Sequence, residues 1–130
     1  MTWDTLALSA LAATEEITIE TARSDGSFRD PVPIWIVRLG DDLYVRSSHG
    51  RQSGWFRGAV AEHRARVSTE GTTSLVSLVE VNGREDALDD AYAKKYRQYA
   101  DSFLPALLGA PARSAALRLD PIKKHEDVGT

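Results

Sequence analysis

Two neighbouring strand-like runs constrain this chain more than any other feature. Pro33 to Leu39 and Leu43 to Ser47 are joined by Gly40-Asp41-Asp42, a tight acidic turn that predicts a β-hairpin. Trp35, Val37 and Leu39 share one face of the first run, and Ile34, Ile36 and Arg38 share the other. In the second run Leu43, Val45 and Ser47 oppose Tyr44, Arg46 and Ser48. A strand that is apolar on both faces has no face to give to water, so it belongs at the centre of a closed or covered sheet. The stretch from Ile34 to Val60 contains this hairpin and two of the three tryptophans, and the remainder can be arranged around it.

The flanking segments read as the rest of a small barrel. Thr2 is placed to cap a first helix that carries Trp3, Leu6, Ala7, Ala10 and Leu11 on one face and closes an end of the barrel. Glu16 to Ala22 alternates Ile17 and Ile19 with polar neighbours, as a half-buried strand does. The next segment, RSDGSFRDPVP, has turn signals at Asp25-Gly26 and at two prolines, and is long enough to be more than a connection. Arg64 to Thr69 and Thr73 to Val81 read as two further strands about Glu70-Gly71-Thr72. A helix is expected from about Asp86, with acidic residues early and Lys94, Lys95 and Arg97 late, complementing the helix dipole. Leu88, Tyr92, Tyr96 and Tyr99 fall close to one side of it. Asp101 is placed to cap a short second helix, SFLPALL, that Gly109 and Pro111 end. Ser114 to Asp120 reads as the last strand, and residues from about 122 to 130 as a polar tail. The expectation is one α+β domain over residues 1–130, a barrel of about six mainly antiparallel strands with a few short flanking helices. Apart from the stretch after Ser48, the connections among the first four strands are too short to hold crossover helices.

Composition removes several function classes. A net charge of −3 argues against a general nucleic-acid binder, which would carry a basic excess. Cysteine is absent, so there is no thiolate nucleophile, disulfide or cysteine metal site. His49, His63 and His125 follow no ligand spacing, and no metal is expected. The opening LALSALAA follows an acidic leader rather than a basic one, and no apolar run approaches the ~18 residues that span a bilayer. The chain is therefore read as cytoplasmic, with no membrane partner, and its Ala and Arg richness suits a bacterial source.

The chemistry concentrates after the second strand of the hairpin. Arg46-Ser47-Ser48-His49-Gly50-Arg51-Gln52-Ser53-Gly54 offers guanidinium groups, hydroxyls and glycines that let backbone N–H groups approach an anion. It is neither a Walker loop nor a dinucleotide fingerprint, and a solvated hairpin end has a similar composition. Trp55, with Phe56 and Arg57, would stack on a planar ligand or simply enter the core. His49 is the histidine nearest this cluster, and imidazoles suit acid–base work near neutrality, though no carboxylate is spaced to orient it. Asp25 in the long loop would serve as a base, although turn chemistry also accounts for it. Ser47, Ser48 and Ser53 lack a nucleophile elbow. Tyr92 and Lys95 are spaced too closely for a dehydrogenase pair and follow no dinucleotide motif, so the tyrosines read as a packing face, over the barrel or at a dimer seam.

Several blocks together resemble one family. They are Arg23-x-Asp25-Gly26, Ile34-Trp35-x-Val37-Arg38, Leu43-Tyr44-Val45-Arg46-Ser47, Gly50 with Trp55-Phe56-Arg57, Ala91-Tyr92-x-x-Lys95-Tyr96 and Leu117-Arg118-Leu119-Asp120-Pro121. In this order, over nearly the whole chain, they are similar to the bacterial family called domain of unknown function 2255. That family looks like a distant relative of the split β-barrel proteins that bind FMN or a deazaflavin. The resemblance implies a split β-barrel, a homodimer with cofactor at its seam, and oxidoreduction of a small organic substrate. It implies that Arg46, Ser47, Ser48, Gly50 and Arg51 hold the flavin phosphate, with Trp55 and Arg57 nearby. A second reading keeps the barrel and drops the cofactor: an isomerase, cyclase or dehydratase would use His49, Asp25 and Tyr44, with Arg46, in acid–base catalysis. A third is a small-ligand binder without turnover.

Overall fold

The computed structural model describes residues 2–122, so the tail expected beyond Ile122 lies outside the described residues. Six strands, β1 (Glu16–Thr21), β2 (Val32–Leu39), β3 (Asp42–Arg46), β4 (Arg64–Thr69), β5 (Thr72–Glu80) and β6 (Ala116–Pro121), close into a barrel in the order β1-β2-β3-β6-β5-β4. Every pairing is antiparallel. Closure leaves no strand edge unpaired, which is how so small a sheet avoids an aggregation-prone rim. The architecture is the split β-barrel α+β fold that the resemblance implied.

The central hairpin behaves as its alternation predicts. Leu39 pairs with Asp42 across Gly40-Asp41, with Gly40 at φ 61°, a left-handed turn position suited to glycine. Ile34, Ile36, Leu43 and Val45 point inward and pack with Ile17, Ile19, Val67, Val76, Leu78, Leu117 and Leu119. Val37 and Tyr44 point outward into a second cluster built on Leu88, Tyr92, Tyr96, Leu104 and Leu107. Leu88 and Tyr92 belong to α3 (Glu85–Lys95), Tyr96 follows it directly, and Leu104 and Leu107 belong to α4 (Leu104–Leu108), so that these elements cover this side of the barrel. Both faces of β2 are apolar because both are covered.

Several local expectations are corrected. The first helix, α1 (Thr5–Ala13), is capped by Asp4, whose carboxylate accepts the Ala7 N–H at 3.1 Å, rather than by Thr2. Trp3 lies ahead of the helix, buried, with its indole N–H donating to the Leu119 carbonyl at 3.0 Å. Leu8 and Leu11 are the helix's buried residues, while Leu6 is 80 % exposed. Asp101 does not cap α4, whose N-cap is Phe103, and Gly109 leads directly into another short helix, α5 (Ala110–Arg113), with Pro111 in its first turn. The largest omission is α2 (Gly54–Glu62), which packs against β1 and β5 where a ligand loop and an aromatic pair were expected. Phe56, Ala59 and Val60 have the i, i+3, i+4 spacing of a helix face after Ser53, and that signal was present in the sequence.

Candidate functional site

Arg46 ends β3 on the face turned toward α3, and burial decides its chemistry. Its side chain has 0 % exposure. Its Nη1 donates to the Asp89 carboxylate at 2.6 Å and to the Leu107 carbonyl at 2.8 Å, and its Nη2 donates to the Glu85 carbonyl at 3.0 Å. The Tyr92 hydroxyl accepts the Arg46 backbone N–H and donates to the Trp35 carbonyl, both at 3.0 Å. Arg46 therefore ties the exit of β3 to α3 and α4, and its charge is answered from within the chain.

The loop that follows is held at each step. The hydroxyls of buried Ser47 and of Ser53 lie 2.8 Å apart. Gly50, at φ 80°, lies against Pro111, where an added Cβ would stand 3.0 Å from the Pro111 Cβ. Arg51 pairs with Glu80 at 2.8 Å and donates to the Ser114 carbonyl at 2.9 Å. Of the loop residues expected to face a ligand, Arg46 and Arg51 thus direct their guanidinium groups to partners in the chain. Arg46 still lines a groove of about 700 Å³, its Nε without a hydrogen-bond partner among the described residues, together with Ser48, His49, Ser53, Trp35, Trp55, Tyr99 and Phe103.

That groove is aromatic on its walls. Trp35 stacks on Tyr96 at 4.0 Å between ring centroids and meets Tyr99 at 4.9 Å. Phe103 stands edge-on to Trp35 and is 67 % exposed. The Glu15 carboxylate accepts the Tyr99 hydroxyl at 2.6 Å, at the end where β1 begins. A concave, mostly apolar groove of this volume, with a few hydroxyls, one imidazole, the carboxylates of Glu15 and Glu16 and the buried Arg46 among its polar groups, has the make-up of an organic-ligand site. Its donors and aromatic faces fit a planar heteroaromatic ring system.

Val32 and Trp55 line this groove and also a second recess, of about 550 Å³, at the other end of β1. Arg23, Arg29 and Arg57 line the recess with Asp30, Thr21 and Gly58. Arg57 was among the candidates from the sequence, whereas Arg23 and Arg29 were missed. Their signal was the length of the RSDGSFRDPVP segment and its two arginines.

The proposed acid–base set is not brought into one place. Tyr44 is buried in the outer cluster and lines neither cavity. Asp25 sits exposed in the β1–β2 loop, accepting from both the Ser27 hydroxyl (2.6 Å) and the Ser27 N–H (2.9 Å), and those bonds hold its carboxyl below the usual range. His49 lines the groove without either of them. Tyr92 and Tyr96 are pushed well above the ordinary phenol range by burial, so they act as hydrogen-bonding pillars rather than acids. Lys95, which the sequence set aside as a dehydrogenase-like partner of Tyr92, donates to the Thr14 carbonyl at 2.8 Å and the Ile36 carbonyl at 2.6 Å. No helix among the described residues is long and apolar enough to cross a membrane.

Three solved structures are similar across almost the full fold. The heme storage protein HutZ from Vibrio cholerae matches with a TM-score of 0.63 at 11% identity, covering 95% of this chain and 92% of its own. A FAD-binding protein from Mesorhizobium loti matches with a TM-score of 0.57 at 20% identity, covering 95% and 93%. A protein described as a putative 5-nitroimidazole antibiotic resistance protein, from Bacteroides thetaiotaomicron, matches with a TM-score of 0.53 at 9% identity, covering 95% and 83%. At these identities the likeness is one of fold. No functionally curated protein matches the chain. Residues 7–119 match the sequence profile of the family described as "Uncharacterized protein conserved in bacteria (DUF2255)".

Proposed function

We propose, for this chain, which belongs to the bacterial family DUF2255, that the aromatic groove binds a flavin or deazaflavin and serves oxidoreduction of a small organic substrate. The observation that carries this reading is the groove itself. Its volume of about 700 Å³ lies between tryptophan, tyrosine and phenylalanine walls, beside a loop of hydroxyl and imidazole groups. The bound cofactor would supply the hydride chemistry, so no catalytic dyad is needed from the protein. Trp35 and Trp55 would flank the ring system, and Ser48, His49 and Ser53 would hydrogen-bond its polar edge. Arg46, Ser47, Gly50 and Arg51 act as positioning residues, because their contacts hold the loop against α3, α5 and β5. The separation of His49, Asp25 and Tyr44 supports this reading over a cofactor-free acid–base enzyme. The description of the Mesorhizobium loti protein as FAD-binding agrees with it.

The test is an absorption spectrum of the purified protein followed by titration with FMN, riboflavin and a deazaflavin, with haem as the comparison ligand. Micromolar binding of a flavin or deazaflavin, with quenching of tryptophan emission that Trp55→Leu reduces, is the expected result. A protein that binds none of the three would remove the cofactor from the proposal. Pairing of two copies belongs to the same reading, and sedimentation of the purified chain measures it. A chain that stays monomeric would take the seam out of the site.

A further inference from the structure

We infer that the recess between the β1–β2 loop and α2 is a phosphate-binding subsite, with Arg29 and Arg57 as its cationic ligands. Four observations meet there. Arg23, Arg29 and Arg57 line one recess against a single carboxylate, Asp30. Among the described residues, none of the three guanidinium groups forms an ion pair, whereas Arg46, Arg51, Arg66, Arg113 and Arg118 all do. Thr21, 1 % exposed at the recess floor, has a hydroxyl with no hydrogen-bond partner among the described residues. A buried hydroxyl left unpaired is costly, and a polar ligand that answers it relieves that cost.

The fourth observation is Gly58. It lies buried in α2, and an added Cβ would stand 3.0 Å from Arg29 Nε and 3.1 Å from Thr21 Oγ1. The absent side chain leaves the space that the Arg29 guanidinium and the Thr21 hydroxyl share beside α2. Gly54 opens α2 at the edge of the same recess, and Ser53 makes no side-chain cap, so the first-turn N–H groups of this nine-residue helix face an anion favourably. Planar guanidinium forks, open amide donors and a hydroxyl together match the oxygens of a phosphate or phosphate ester.

The recess adjoins the aromatic groove through Val32 and Trp55. Its identification as the place of a cofactor's phosphate rests on the proposed function, with the ring in the groove and the phosphate in the recess. The anion chemistry stands on the recess alone. It also places the anion away from Arg46 and Arg51, whose charges are already paired.

FMN and riboflavin share one ring system and differ by the phosphate, so comparing their affinities isolates this subsite. The wild-type protein is expected to bind FMN at least ~10-fold more tightly than riboflavin, with the difference shrinking as salt is raised. In Arg29→Gln/Arg57→Gln the preference should fall to within about twofold while riboflavin affinity is unchanged. Both residues are exposed, so the variant should keep the wild-type circular dichroism, and Arg64→Gln/Arg97→Gln, exposed and outside both cavities, controls for the loss of two charges. Equal affinity for the two flavins, or a preference that survives in the double variant, overturns the inference while leaving the ring-binding reading in place. If neither flavin binds, calorimetric titration with inorganic pyrophosphate decides. Saturable binding that the double variant loses supports the subsite without the flavin, and its absence at millimolar pyrophosphate overturns it.

Discussion

Arg46 is a full positive charge with no exposed side-chain surface, held by one carboxylate and two carbonyls. Removing one partner of such a pair is costly because the remaining groups lose their compensation, less so for Asp89, which is 29 % exposed. Asp89 keeps a second partner in Arg113 at 3.1 Å, which limits the damage. Arg46→Met is expected to lower stability by about 3 kcal/mol, read as a lower urea midpoint at unchanged slope; a loss under about 1 kcal/mol would show that the pair contributes little. A second residue-scale effect belongs to Lys95. Burial brings its ammonium from an ordinary 10.5 down to about 8, with the Glu15 carboxylate opposing. The unfolded chain therefore holds more protons than the folded one between those values. The penalty is fully present below about pH 8 and is relieved as pH rises toward 10.5. Wild-type stability should rise between about pH 7.5 and 9.5 relative to Lys95→Met, and parallel profiles would refute the depressed ammonium. Arg46's place beside Tyr44 on the outward face was legible in the alternation. Its partner was not, because Asp89 arrives from 43 residues away.

At the scale of elements, α3 is fastened to the barrel by tyrosine hydroxyls reaching strand backbone. Tyr92 bridges the Trp35 carbonyl and the Arg46 N–H, while Tyr96 donates to the Glu15 carbonyl at 2.6 Å and accepts the Ile36 N–H at 3.0 Å. The 3-10 turn Gly50–Gln52 is fastened to α5 by close packing of Gly50 on Pro111. Gly50→Ala combines a left-handed φ with a contact to the Pro111 backbone, while Gly83→Ala, at φ 87°, meets nothing within 4 Å. The first should cost about 1–3 kcal/mol and exceed the second, measured by chemical unfolding of both. Equal losses would mean that the Pro111 contact yields freely. The tyrosine stripe was readable as a packing face from its spacing. The short α2 and α5 were not assigned, because a few turns with internal Gly or Pro have weak intrinsic propensity and form where tertiary contacts hold them.

The whole described chain shares one closed barrel, and its three tryptophans report on different parts of it. Trp3 is buried with its indole bonded to β6, while Trp35 and Trp55 line the groove outside. If barrel and coverings unfold as one unit, tryptophan emission and far-ultraviolet circular dichroism will give coincident urea transitions. Separate midpoints would show that the α3–α4 covering leaves the barrel first. The strands, their turns and the two-faced hairpin were determined by the sequence itself, because a period of two and a glycine at a left-handed turn are local properties. Tertiary structure alone decided which arginines are spent and which remain available. The pairing of Arg46 with Asp89 and of Arg51 with Glu80, and the meeting of Thr21 and Arg29 with Arg57 and Gly58, all join residues distant in the chain. A guanidinium has the same composition whether it is buried in an ion pair or open to a ligand, and only barrel closure separates the two.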